Sequence, residues 1–284
     1  MIKNLKKIRV ILFFNSYRGL EILKFLKKKK INISYIFLSK RYLNTKVLKY
    51  LKNKSFPYSI IKNLKSKFVY NKIGISSDLN IICGFPYIFQ KKLINLNKYG
   101  TINCHAGRLP KYRGGSPLNW QMINNEKKIG LSIVKIDAGI DTGDIVNETS
   151  FVNKKKYTIQ NLHLIANKIF PRLVYSSIKN VLLKKRLKKQ SKNKSSYFKQ
   201  RSARDSLVDL KTMTYKQLDC FVRALQDPYP NACFRFNNLN IKIKKIKPKK
   251  IYLKAGKIKF VNKKIYLGCK NSAAELTKYQ ISKI

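Results

Sequence analysis

Thr101–Trp120, TINCHAGRLPKYRGGSPLNW, followed after a polar turn by Ile129–Asp144, IGLSIVKIDAGIDTGD, is the stretch from which the rest of the chain can be read. It holds one of the two histidines, and three of the twelve acidic residues, Asp137, Asp141 and Asp144, fall within eight positions of each other. Asn103 and His105 stand two apart at the end of an apolar run, so in a strand their side chains share a side. A carboxamide and an imidazole so placed can direct hydrogen bonds at an oxygen that gains charge when a carbonyl is attacked. The imidazole can also move a proton near neutral pH. Leu109-Pro110 and Arg113-Gly114-Gly115-Ser116-Pro117 carry turn and helix-start chemistry, with Ser116 suited to an N-cap and Pro117 to the first helical position. Ile129–Ile136 alternates into a strand. A carboxylate-rich loop behind it is hard to explain as a solvated face in so basic a chain, and Asp141 is the candidate partner of His105. Cys104, between Asn103 and His105, reads as a small buried side chain outside the chemistry.

On the N-terminal side, Ile8–Phe14 is a continuous apolar run of the kind shown by a parallel strand covered on both faces. Arg18–Lys30 sets Leu20, Leu23 and Leu26 on one helical face, and Ile31–Leu38 is a second strand. Lys46–Lys52 reads as a helix, Tyr58–Ile61 as a strand, and Asp78–Gly84 as a buried strand ending in glycine. This alternation predicts an α/β fold with a doubly wound, mostly parallel, Rossmann-like sheet. The first loop has no GxGxxG, which speaks against a dinucleotide cofactor. On the C-terminal side, Tyr157–Leu183 is a long amphipathic helix, with His163 beside its apolar stripe as a structural residue. Lys184–Ser196 is basic, polar and aperiodic, a linker or exposed arm. Ala232–Ile284 alternates apolar and basic residues in short strands, a small β domain with one solvated face.

The 63 basic and 12 acidic residues give a net charge of +51. Such a surplus suits a polyanion surface. It has a compositional explanation too, because 52 of the 63 are Lys and the chain is rich in Ile, Asn and Tyr, all with A/T-rich codons. Charge alone therefore does not choose a partner. Five scattered cysteines without a CxxC suggest neither a disulfide scaffold nor a zinc site, and point to a reducing cytoplasm. No apolar run approaches the roughly 20 residues needed to span a bilayer, and the apolar part of MIKNLKKIRVILFF reads as the first buried strand rather than a signal peptide.

Asn103-x-His105, Leu109-Pro110-x-Tyr112-Arg113-Gly114-Gly115-x-Pro117 and Asp137-x-Gly139-x-Asp141-Thr142-Gly143-Asp144, in that order and spacing, resemble the signature of the 10-formyltetrahydrofolate-dependent formyltransferases. The resemblance implies transfer of a formyl group from 10-formyltetrahydrofolate to a primary amine, with no metal. It makes Asn103, His105 and Asp141 the catalytic trio: Asn103 and His105 would stabilise a tetrahedral oxyanion while Asp141 orients His105 and assists proton removal. It places the folate's pterin against Phe85, Pro86, Tyr87 and Ile88, beyond the buried strand, with Asp137 and Gly139 alongside, and the acceptor near Arg113, Gly114 and Ser116. The expected organisation is a catalytic domain over residues 1–183, a basic linker over 184–204 and a C-terminal domain over 205–284 made of a helix and a small β-barrel-like part.

The family includes branches acting on methionyl-tRNA, on glycinamide ribonucleotide and on nucleotide-linked amino sugars. The short path from Phe37-Leu38-Ser39 into helix leaves little room for the basic loop of the tRNA enzymes. The Arg201-x-x-x-Asp205-Ser206 and Asp227-Pro228-Tyr229-Pro230 forms look closer to the sugar enzymes. The expected acceptor is therefore a nucleotide-linked amino sugar, with initiator methionyl-tRNA as the second reading. A homodimer and a cytoplasmic location accord with both. The C-terminal extension disfavours the purine branch, a formyl-folate hydrolase would carry a domain before the strand at Ile8, and a non-catalytic nucleic-acid binder would not need the trio.

Overall fold

The computed structural model describes Leu5 and residues 7–283. In chain order the elements are β1 (Arg9–Phe14), α1 (Tyr17–Lys28), β2 (Asn32–Ser39), α2 (Thr45–Asn53), β3 (Tyr58–Ile61), α3 (Lys67–Ser76), β4 (Leu79–Cys83), α4 (Lys91–Ile94), β5 (Thr101–His105), β6 (Arg113–Gly114), α5 (Pro117–Ile123), β7 (Lys128–Lys135) and β8 (Ile145–Val152). There follow α6 (Ile159–Leu182), β9 (Tyr197–Phe198), α7 (Tyr215–Ala224), β10 (Ala232–Phe236), β11 (Leu239–Lys249), β12 (Ile258–Val261), β13 (Lys264–Cys269) and β14 (Ser272–Lys283). Two compact units interleave along the chain. One takes the described residues up to Gly114 with Gly130–Ser150 and Leu164–Tyr197; the other takes Gly115–Ile129, Phe151–His163 and the described residues from Phe198 onward.

The first unit is built on a seven-stranded sheet of order β3-β2-β1-β4-β5-β7-β8. The first five strands are parallel, and β7 runs antiparallel to β5. Strand order reverses between β1 and β4, and in such sheets the crevice at the carboxyl ends of the strands beside the reversal is where ligands bind. The apolar run of β1 explains its central place: every residue after Arg9 is buried, as a strand covered on both faces requires. On one face Ile11, Phe13, Phe37 and Ile82 pack with Val69 and Ile73 of α3 and with Phe89 and Leu93. On the other, α1 comes so close at Gly19 that an added Cβ would lie 2.3 Å from the Phe14 ring.

Helix α3 is absent from the periodicity reading, because FVYNKIGIS is β-branched and aromatic with a glycine inside, a weak helix former. Burial of Val69 and Ile73, with the Ser66 hydroxyl accepting from Val69 N, decides it. The basic segment after α6 is not a free arm: Lys188 and Ile145 exchange backbone hydrogen bonds of 2.8 and 3.1 Å.

In the second unit a five-stranded antiparallel sheet of order β10-β11-β14-β13-β12 packs Phe234, Ile241, Ile243, Ile265 and Leu267 against Leu218, Phe221 and Val222 of α7. The β-rich C-terminal part expected from the alternating pattern is thus present. Thr214 and Gln217 cap α7 reciprocally. Ser116 stands at the N-cap of α5 with Pro117 as the first helical residue, as expected, but its φ is 49° and its hydroxyl makes no cap bond, accepting instead from Arg201 N at 3.2 Å. His163 is tied to the Tyr229 hydroxyl at 2.8 Å, in keeping with a structural role. Among the described residues no helix is long and apolar enough to cross a membrane.

Candidate active site

Three segments of the first unit meet beyond the carboxyl ends of β4 and β5. β4 ends at Cys83, and Gly84, with φ +61°, turns the chain into Phe85–Phe89. Phe13 lies edge-on to both Phe85 and Phe89, at 5.5 and 5.0 Å between ring centroids, and Phe85 meets Tyr87 at 5.3 Å. The second segment is β5, whose Asn103 and His105 share a face by strand periodicity. The third is the loop after β7, Ile136–Asp144. There an added Cβ on Gly139 would lie 2.1 Å from Thr142 Oγ1, and one on Gly143 2.0 Å from the Lys135 carbonyl oxygen. Close approach of this kind is why the loop needs glycine at both places.

Asp141 is the hub. One carboxylate oxygen accepts from Asn103 Nδ2 at 3.3 Å, and the other accepts from Gly114 N at 3.0 Å and lies 3.4 Å from His105 Nδ1. Its backbone sits in the left-handed region at φ 54°, which costs a residue with a Cβ about 1–2 kcal/mol and marks sites where the surroundings over-determine the geometry. His105 is 5% exposed, and its Nε2 lies 2.5 Å from the Tyr112 carbonyl. A carbonyl only accepts, so Nε2 carries a proton. The Nδ1 edge, facing Asp141, is the one with freedom to donate or accept.

Asp137, expected at the cofactor, is exposed and also shapes its own loop: Oδ1 accepts from Gly139 N at 3.1 Å and Thr142 Oγ1 at 2.6 Å. Arg113 and Gly114 do reach the trio, but by way of Asp141. Gly114 N donates to its carboxylate, while the Arg113 guanidinium donates twice, at 3.1 and 2.9 Å, to Gln190 Oε1. Gln190 Nε2 in turn donates to the carbonyls of Asp141 and Gly143 at 2.9 and 2.6 Å. Ser116 belongs to the second unit. Gln190 escaped the sequence reading because it stands in a basic, aperiodic run with no pattern around it. Lys135 escaped too. It is half-buried, burial lowers its ammonium below the ordinary value, and it donates to the Tyr99 carbonyl.

A cavity of about 220 Å³ lies among these segments, lined by Ile82, Phe85, Tyr87, Ile88, Phe89, Asn103, Val134, Lys135, Ile136, Asp137, Gly139, Ile140 and Asp141. Of the residues expected around a pterin, only Pro86 is not among these. The volume is below the roughly 300–1,000 Å³ of sites that enclose a drug-sized ligand. It suits a flat ring system whose remainder extends outside. A larger concavity of about 1110 Å³, between α1, β8 and α6, contains none of the trio.

Residues 8–168 match the family described as formyl transferase, and residues 201–283 match its C-terminal domain. The chain belongs to the formyl transferase family. It is an enzyme that transfers formyl groups. It is 30% identical over 286 residues to the methionyl-tRNA formyltransferase of Orientia tsutsugamushi, covering 96% of this chain and 92% of that protein. Methionyl-tRNA formyltransferases of several Rickettsia species are matched over 55% to 59% of their length. Among solved structures, the formyltransferase fold is shared with the N-formyltransferase of Helicobacter canadensis, in complex with folinic acid and dTDP-3-aminofucose (TM-score 0.74, 18% identity, 96% of this chain and 99% of that one). It is shared also with the methionyl-tRNA formyltransferase of Clostridium thermocellum (TM-score 0.60, 19% identity, 97% and 98%).

Proposed function

We propose that the enzyme moves the formyl group of 10-formyltetrahydrofolate to the amine of initiator methionyl-tRNA. The observation that carries the acceptor is the likeness to the Orientia methionyl-tRNA formyltransferase over nearly the whole of both chains. A 560 Å³ concavity within the second unit adds support: Lys155, Lys156, Arg223, Lys244, Lys245 and Lys278 line it, with only Asp219 and Asp227 against them. Such a surface suits phosphates. This order reverses the sequence reading, in which the nucleotide-linked amino sugar came first. The amino sugar stands as the second reading because of the fold's likeness to the Helicobacter enzyme.

The aromatic cavity would hold the pterin, leaving the formyl group toward Asn103. The Asn103 carboxamide then donates to the formyl oxygen as it becomes anionic, and the Nδ1 edge of His105 does so when the ring carries its second proton. Asp141, freed from Asn103 as that bond is handed to the oxygen, accepts the proton of the attacking amine directly or through water, and a proton passes to the folate N10 as its bond to the formyl carbon breaks. Arg113, Gly114 and Gln190 act through Asp141 by holding it. The test offers 10-formyltetrahydrofolate with initiator methionyl-tRNA and, in parallel, with nucleotide-linked 3-amino and 4-amino sugars. Transfer to tRNA alone is expected; transfer to a sugar alone overturns the acceptor. His105→Ala and Asp141→Asn should each lower turnover by about a hundredfold or more with an unchanged circular dichroism spectrum, and near-normal turnover in either removes its assigned role.

A further inference from the structure

Cys83 and Cys104 form a thiol pair that formyl transfer leaves unused. β4 and β5 run parallel with Ile82 beside Asn103. One step further along both strands sets Cys83 beside Cys104, close enough for each thiol to shift the other's ionisation. Neighbouring strands lie about 4.8 Å apart, within the roughly 4.4–6.8 Å between Cα atoms that a disulfide spans. By strand periodicity the pair occupies the sheet face opposite Asn103 and His105, next to Phe14 of β1.

The two thiols are not equivalent. The neighbouring Cys104 thiol, with attraction from Arg18 and the Ser16 hydroxyl at the start of α1, outweighs burial and draws the Cys83 thiol below its ordinary value. Arg18 is itself held in place by Asn167 Oδ1 at 3.0 Å and the Phe170 ring at 5.1 Å. Burial, and then the Cys83 thiol, pushes Cys104 up. Cys220, Cys233 and Cys269 are all raised by burial alone or chiefly so. Selective oxidation follows thiolate character and exposure; Cys83 and Cys104 are only 3% and 6% exposed, so a peroxide reaches them as the ends of β4 and β5 part.

We propose that Cys83 and Cys104 are a dithiol–disulfide site oxidised by hydrogen peroxide, and that closing the disulfide switches off the active site through β5. The Cys83 thiolate attacks one peroxide oxygen, the O–O bond breaks, and the departing oxygen takes up a proton to leave as water, so that Cys83 becomes a sulfenic acid. Cys104 loses its thiol proton, its sulfur attacks the Cys83 sulfur, and the S–O bond breaks as the second water leaves. Two thiols have lost two electrons, and the peroxide has gained them. The bond draws the Cβ atoms to about 3.5–4.5 Å and moves the backbone of Cys104, which joins Asn103 to His105. Their contacts with Asp141, at 3.3 and 3.4 Å, stand at the outer limit of hydrogen-bond length. A small shift of β5 therefore breaks them.

The disulfide is independent of the formyl-transfer reading, whereas its effect on turnover rests on that reading. The reduced full chain is titrated with hydrogen peroxide, quenched in acid, digested and analysed by mass spectrometry. The expected product lacks two hydrogens, gives a linked peptide pair containing Cys83 and Cys104, and reverts with dithiothreitol. Cys104→Ser should instead hold a sulfenic acid on Cys83 that dimedone traps, and Cys83→Ser should give no linked pair. Turnover of the wild type should fall on the order of tenfold or more in step with the linkage, return on reduction, and stay level under peroxide in Cys83→Ser. No linked pair overturns the site, and a linked pair with unchanged turnover overturns its coupling to β5. Absence of turnover in the reduced protein overturns only the formyl-transfer reading. The coupling is then read from the His105 ring resonance, which should move on oxidation in the wild type and hold still in Cys83→Ser; a resonance unmoved in the wild type overturns it.

Discussion

Gln190→Met should slow formyl transfer while leaving folate binding nearly intact. The substitution keeps the length of the side chain and removes both amide ends. Lost with them are the two bonds donated to the carbonyls of Asp141 and Gly143 and the two accepted from Arg113. At about 0.5–1.5 kcal/mol net each, the two bonds to the loop hold it by about 1–3 kcal/mol. The left-handed φ of Asp141 opposes them by about 1–2 kcal/mol. Without Gln190, the conformation that presents Asp141 loses most of its margin, and a loss of about 1–3 kcal/mol in its population means a fall of about 5- to 150-fold in kcat. The KM for the folate should change little, because the aromatic cavity wall does not depend on Gln190. Stability should fall by the same about 1–3 kcal/mol, roughly 2–4 °C in Tm per kcal/mol for a protein of this order of size. Steady-state transfer kinetics read the first two effects, and hydrogen exchange of the Gly114 amide, which donates to Asp141, reads the loop without any acceptor. A kcat within about twofold of wild type, with Gly114 exchanging no faster, refutes the reasoning.

Gly19→Ala should destabilise the first unit by about 1–3 kcal/mol, because its Cβ would meet the buried Phe14 ring; an unchanged urea midpoint would show that α1 can back away freely. The hydrogen bond from Arg9 holds the Asp78 carboxyl below its ordinary value. A carboxyl so lowered contributes stability that is complete above the unfolded value, near 3.8, and is lost as pH falls through the folded one. Asp78→Asn should therefore be less stable than wild type at neutral pH and show a flatter decline below about pH 4, and parallel Tm-against-pH curves would contradict this.

The parallel half of the fold was legible in the chain because strands buried on both faces must be apolar throughout: Ile8–Phe14 and Asp78–Gly84 could hardly be anything else. The alternating C-terminal strands were legible for the converse reason, one wet face and one dry. Asn103, His105 and Asp141 were nameable because a two-residue step on a strand puts Asn103 and His105 on one side, and because carboxylates are scarce here. Helix α3 was not legible, since its residues favour strand and only the packing of Val69 and Ile73 makes it a helix. Ser116 was placed correctly at the N-cap by its neighbours, yet what its hydroxyl does was not legible, since it is taken up by Arg201 N, a partner 85 residues away. Gln190 carried no local signal at all, because its role depends on carbonyls 47 and 49 positions earlier. The sequence by itself determined what periodicity and residue chemistry can enforce over a few positions: which runs are strands, which faces are buried, and which side chains can do acyl chemistry. Only the tertiary structure decided how those side chains are held, since the hydrogen bonds that aim Asp141 and the register that sets Cys83 beside Cys104 join residues that no local pattern connects.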